Sequence, residues 1–136
     1  MSDEVRITVK SDADVVAARE QGRQLSARLG FSSTDLTLIV TAISEVARNI
    51  VLYAKEGRIT LRLVRNASKS GIVVIAEDEG PGIPDLELAM RDAYSTGNGL
   101  GLGLPGARRL MDEFEIESQL SKGTTVTMRK WAPERV

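Results

Sequence analysis

The chain contains no cysteine and no histidine in 136 residues. Without cysteine there can be no disulfide, thiolate nucleophile, zinc-thiolate site or iron–sulfur cluster. Without histidine, Ser-His-Asp hydrolysis, histidine metal sites and a phosphohistidine acceptor are excluded as well. Any catalysis must run on carboxylates, backbone amides and oxygen-bound ions. An excess of either charge is also missing: 18 basic side chains face 19 acidic ones. With no basic surplus to drive counterion release, nucleic acid is not an expected partner. Long apolar runs are absent; a stretch such as Ile72–Ala76 is far too short to span a bilayer. The opening Met1-Ser2-Asp3-Glu4 lacks the charged-then-apolar pattern of a signal peptide, so a cytoplasmic protein without membrane association is expected.

What is present is an ordinary globular mixture, 42% hydrophobic and 27% charged, of a length that suits one domain over residues 1–136. Val5, Ile7 and Val9 alternate with polar residues, which predicts a first strand. Ser11 and Asp12 can cap a helix in which Val15, Ala18, Gly22, Leu25 and Leu29 recur at three- and four-residue spacing, ended by Gly30. Ser32-Ser33-Thr34 starts a second helix reaching about Tyr53 or Ala54, with Asp35 near its positive end. Strands are expected over Arg58–Val64 and Gly71–Glu77. Residues 80–103 are Gly-rich, with a short helix expected at Asp85–Asp92. Pro105 suits the first position of a helix running to about Phe114. A hairpin of Phe114–Leu120 and Thr124–Trp131, turned at Ser121-Lys122-Gly123, closes the chain. Helices and strands in runs predict an α+β fold, a two-layer α/β sandwich with helices on one face of a mixed, mainly antiparallel sheet.

The second helix carries two stripes. Leu36, Ile39, Ile43, Val46, Ile50 and Ala54 form the core-facing one; Leu38, Ala42, Glu45, Asn49 and Leu52 form another on a different face. Glu45 and Asn49, four apart, stand one above the other. The carboxylate could take a proton or orient a hydroxyl, and the Asn49 carbonyl could ligate a hard cation such as Mg²⁺. A solvated helix face with an incidental pair is the competing reading.

Two glycine-rich segments follow. Asp78-Glu79-Gly80-Pro81-Gly82-Ile83-Pro84 comes directly after an apolar strand, where Asp78 could accept a hydrogen bond from a ligand amine; a tight surface turn is the alternative. Gly97-Asn98-Gly99-Leu100-Gly101-Leu102-Gly103-Leu104-Pro105 places four glycines at alternate positions before a helix. Backbone amides there could converge on an anion at the helix's positive end, or the segment could be a flexible hinge. No Walker-type, dinucleotide-fold or eukaryotic kinase signature fits this context.

Glu45-x-x-x-Asn49 on a helix, Asp78-x-Gly80-x-Gly82 after a strand, a Gly-rich lid ending at a helix, and Gly123-Thr124-Thr125 leading into the last strand occur in that order. The order resembles the GHKL ATP-binding superfamily. More narrowly, Thr41-Ala42-Ile43-Ser44-Glu45, Ala76-Glu77-Asp78 and Arg109-Leu110-Met111-Asp112-Glu113-Phe114 are similar to the small bacterial anti-sigma-factor-type serine/threonine kinases. The resemblance implies ATP and Mg²⁺ as cofactors. Asp78 would bind the adenine amino group with help from a water and from Thr125 or a neighbour, and Asn49 would ligate Mg²⁺. Glu45 would serve as base or orienting group for a substrate hydroxyl. Gly97, Gly99, Gly101 and Gly103 would close over the phosphates, with Gly80, Gly82, Ile83, Leu100 and Leu104 also among the nucleotide-binding residues. No Lys or Arg lies between Tyr94 and Pro105, so γ-phosphate charge would fall to amides, Mg²⁺ and Arg48 or Arg91. The implied partner is a STAS-domain substrate in a stress-response partner-switching pathway of the stressosome type, with a downstream phosphatase as a further target. A nucleotide-dependent sequestering module of the anti-sigma factor type and a plain ATPase are the rival readings.

Overall fold

Alternation at Val5, Ile7 and Val9 yields strand β1 (Glu4–Val9), and serine-capped helices follow it. Ser11 accepts from the Asp14 amide to start α1 (Asp12–Ala27), and Ser32 accepts from the Asp35 amide to start α2 (Ser33–Tyr53). The chain continues through β2 (Gly57–Arg65), β3 (Ser70–Asp78), α3 (Gly103–Leu110), β4 (Glu113–Gln119) and β5 (Gly123–Trp131). This computed structural model describes residues 3–65, 68–85, 90 and 103–133. Most of the expected helix at Asp85–Asp92 (all but Asp85 and Met90) and the lid residues Gly97, Gly99, Leu100 and Gly101 lie outside the described residues, as does Arg91.

The strands form one sheet in the order β1-β2-β3-β5-β4. All four pairings are antiparallel, a narrower outcome than the mixed, mainly antiparallel sheet expected. The α1, α2 and α3 helices make the second layer, with α2 packed between the other two. The α+β two-layer architecture expected from the sequence is therefore observed.

Ile39, Ile43, Val46 and Ile50 of α2 meet Ile59 and Leu61 of β2, Ile72 and Val74 of β3 and Met128 of β5 in one core. By length and hydropathy α2 could cross a membrane; instead its core stripe is buried against the sheet, and its second face carries Glu45 and Arg48. Gly22 marks the crossing of α1 and α2, because a β-carbon there would collide with the Ile43 side chain. Ser26, on the same helix, is fully buried and its hydroxyl has no hydrogen-bond partner among the described residues. At the β1 edge, Arg62 donates to Glu4 across the pair at 2.8 Å. That hydrogen bond, helped by the Arg6 and Arg62 charges, holds the Glu4 carboxyl below the usual carboxylate range against the opposing effect of desolvation.

Most strand ends differ from expectation by one residue, and three of the differing boundaries bear on the site. The third helix begins at Gly103, placing Pro105 inside the first turn, where a missing N–H costs nothing. It stops at Leu110 rather than near Phe114, because the Asp112 amide donates to Arg129 and Glu113 joins the sheet opposite Arg129. The β3 strand extends one residue beyond Glu77, so Asp78 is a strand residue paired with Gly57 on one side and Thr124 on the other.

Ser26→Ala removes a buried hydroxyl that has no partner and is expected to stabilise the fold by about 1 kcal/mol, read as a raised Tm. Gly22→Val overpacks the α1–α2 crossing and is expected to destabilise by about 1–3 kcal/mol in a urea titration.

Candidate functional site

Gly57 can approach β3 where no other residue could: a β-carbon there would meet the Glu77 carbonyl at 2.5 Å and Ile50 at 2.7 Å. This close pairing brings Asp78 to the sheet end beneath the C-terminus of α2. There the Asp78 Oδ1 accepts from the Gly80 amide at 2.9 Å and from the Thr124 amide at 3.3 Å. Among the described residues no donor meets Oδ2. Asp78 lines a cleft of about 210 Å³ with Glu117, Ser118, Gln119, Lys122, Gly123, Thr124 and Thr125.

The turn after Asp78 is held on both sides. A β-carbon on Gly80 would meet Ala54 at 2.6 Å, so the turn sits hard against the end of α2. Gly82 takes φ +80°, a left-handed conformation that glycine adopts without penalty. The Pro81 carbonyl accepts from the Ser121 amide at 2.8 Å, and the Ile83 amide donates to Ser118 Oγ at 2.7 Å. The β4–β5 hairpin thus anchors the Gly80–Ile83 turn.

Glu45 occupies a second point along α2, nine residues before Ala54 and so roughly 13 Å away along the helix axis. It is 7% exposed. Its Oε2 accepts from the Gly103 amide at 3.1 Å, and its Oε1 pairs with Arg48 at 3.2 Å. A buried carboxylate needs such compensation, and the N-terminus of α3 supplies it through an aligned amide and the positive end of the helix. Gly103 stands at φ +65° and Leu104 is buried. Asn49 is half-buried one turn beyond Glu45. The second stripe of α2 is therefore covered by α3 around Ala42 and Glu45 and open at Leu52, which is 60% exposed.

The structure brings Asp78, Gly80, Gly82, Ile83 and Thr125 together around one cleft, and Glu45, Asn49, Gly103 and Leu104 along α2 and the start of α3. Of the two threonines, Thr124 makes the contact with Asp78; Thr125 pairs with Glu77 in the register and lines the cleft. Arg48 joins the site through Glu45. Sequence reading passed over Ser118 altogether. A signal for it existed: Ser118 follows Phe114 and Ile116 in the inward phase of β4, an apolar position held by a polar residue.

Asn49 presents one amide oxygen, and among the described residues no group of three carboxylate or histidine side chains could hold a metal alone. That donor set fits magnesium, which keeps most of its water and phosphate ligands and takes few from protein. Among the described residues the Gly80 turn, the Gly123 bend and the Gly103 amide offer main-chain surface a nucleotide could approach.

Comparison with known proteins agrees with this geometry. Residues 34–134 match the family described as histidine kinase-, DNA gyrase B- and HSP90-like ATPases. The serine/threonine-protein kinase RsbT of Bacillus subtilis (strain 168) is 48% identical over 131 residues, covering 96% of this chain and 98% of that protein. An anti-sigma F factor of Thermoanaerobacter sp. (strain X514) is 35% identical over 120 residues, covering 84% and 82%. In solved structures the fold recurs in the RsbU and RsbW domains of a Mycobacterium tuberculosis protein, with a TM-score of 0.67 at 23% identity. That match takes in 97% of this chain, which spans only 34% of the mycobacterial one. The resemblance carried by the four ordered motifs is borne out, and the chain belongs to the histidine kinase-, DNA gyrase B- and HSP90-like ATPase family.

Proposed function

We propose that the chain is a serine/threonine-protein kinase that binds ATP in the Asp78 cleft and phosphorylates a separate protein. The observation that carries this reading is the state of Asp78: two amides pin one carboxylate oxygen while the other is left for a ligand donor. An exocyclic amine is the group such an oxygen accepts from. With the base at Asp78 and Ala54, an extended triphosphate would run along α2 towards Asn49, Glu45 and the Gly103 amide. Gly97, Gly99, Gly101 and Gly103 would then enclose the phosphates, with Leu100 and Leu104 beside them.

Asn49 would hold magnesium, which when bound neutralises phosphate charge. The chain's own residues do the rest. In the transfer, the oxygen of a serine or threonine bonds to the γ-phosphorus as its bond to the β-phosphate oxygen breaks, and ADP leaves. The hydroxyl proton passes to Glu45. Oε1 is the better placed oxygen for it, since its partner Arg48 is half-exposed and can swing aside, whereas Oε2 holds the start of α3. Phosphoryl transfer depends mainly on positioning and charge neutralisation, so this small set suffices.

Similarity to anti-sigma-factor-type kinases supports a STAS-domain scaffold or antagonist as the substrate, in a cytoplasmic partner-switching pathway with a downstream phosphatase as further target. The similarity to an anti-sigma F factor also favours a second reading, a module that sequesters a partner and uses nucleotide to set its conformation. The two separate on turnover: incubation with γ-labelled ATP, Mg²⁺ and candidate STAS proteins should label a serine or threonine of one of them. A regulatory effect that persists without any labelled protein would establish the sequestering module instead.

Glu45→Gln keeps an acceptor for the Gly103 amide but loses the base. It is expected to bind ATP normally and to lose about 10²–10⁴-fold in transfer rate, measured by phosphate incorporation. Asp78→Asn presents an amide N–H or loses the pinned oxygen, so nucleotide binding itself should fall below detection in calorimetry.

A further inference from the structure

Ser118 has no part in the chemistry above, yet its hydroxyl meets three groups. Its Oγ lies 2.7 Å from the Ile83 amide, 2.8 Å from Thr124 Oγ1 and 3.3 Å from the Gly123 carbonyl. A hydroxyl offers one proton and two lone pairs. The Ile83 amide can only donate and the Gly123 carbonyl can only accept, so Ser118 gives its proton to Gly123 and receives one from Ile83. The remaining contact is satisfied at the same time only if the Thr124 hydroxyl donates to Ser118, an assignment that follows from this counting. Thr124 is then left with lone pairs alone for anything else it meets.

Thr124 and Ser118 both line the Asp78 cleft, and the Thr124 amide already holds Asp78 Oδ1. Among the polar groups of the cleft, which include Gln119, Lys122 and Thr125, the Asp78 Oδ2 and the Thr124 hydroxyl oxygen are therefore acceptors with no proton to give. We propose that Ser118 is a specificity-determining, positioning residue: by committing the Thr124 proton it leaves the Thr124 hydroxyl, like Asp78 Oδ2, able only to accept, so that these two groups select purines bearing an exocyclic amine against those bearing a carbonyl at that position. This rests on the ATP-binding reading above and deepens it. Were the Thr124 proton released, the hydroxyl could turn and donate, and a 6-oxo purine would gain a partner. A site built to pair a donor rejects the analogue lacking it because its own acceptors are left facing an acceptor.

The test is a pair of affinities, for ATP and for inosine triphosphate, which replaces the amine with a carbonyl oxygen. The wild-type chain should prefer ATP strongly. Ser118→Ala should cut the ATP-to-ITP preference by about tenfold, and Ser118→Thr, which restores the hydroxyl, should recover it. Because Ser118 acts through Thr124, adding Ser118→Ala to Thr124→Val should change the preference no further. Thermal melts identify folded variants; should Ser118→Ala not fold, Ser118→Cys, with its weak donor and acceptor, takes its place under the same expectation. A folded variant that keeps the wild-type preference overturns the role of Ser118 while leaving the ATP site standing. A wild-type chain that binds neither nucleotide overturns both.

Discussion

The carboxylate of Asp78 accepts hydrogen bonds from two amides, that of Gly80 in the following turn and that of Thr124 in the last strand, 46 residues beyond Asp78 in the chain. The first closes within the turn, but the second can form only if β3 pairs with β5 in a register that sets Asp78 opposite Thr124. That register depends in turn on close backbone approaches. A β-carbon at Gly123 would collide with the Asp78 carbonyl, and one at Gly57 would press on Glu77 from the other side. The apolar phase of β3 (Ile72, Val74, Ala76) fixes which face is buried, and a slip of one residue would turn that face to solvent. The cleft is thus a consequence of sheet pairing before it is a feature of any loop.

Helix α2 links this cleft to the opposite end of the site. One stripe, Ile39 to Ile50, packs on the sheet as part of the core. The other stripe turns Glu45 to the start of α3, while Ala54, at the end of the first stripe, meets the Gly80 turn. A single rigid element therefore spaces the two polar centres, as a catalytic arrangement requires. Its burial also explains why a helix apolar enough for a bilayer is a core element here: its hydrophobic surface is satisfied by protein, and the buried Glu45 is compensated by Arg48 and by an amide.

Glu45 shows that structural and chemical readings of one residue need not compete. Its Oε2 stabilises α3, while Oε1 is tied only to a half-exposed arginine. The two oxygens of one carboxylate sit in different surroundings, so one can be held and the other used. Arg48, the half-exposed partner of Glu45 Oε1, can leave for solvent without disturbing the Oε2 bond.

Much of this was legible from residue order alone. Serine caps, helical spacing and strand alternation located α1, α2, β1, β2 and β3 to within a residue or two, because those signals act over one or two turns of chain. Glu45, Asn49, Asp78 and the glycine turns stood out because polar or flexible residues interrupt apolar periods. The end of α3, the inclusion of Asp78 in β3, the partner of Asp78 and the hub at Ser118 could be decided only by tertiary structure. Each depends on which backbone amide a distant strand brings within about 3 Å, a matter of register and sheet order that no local spacing encodes. The sequence by itself determined the inventory of polar groups and glycines; packing decided which oxygen of Asp78 is pinned, and which threonine pins it.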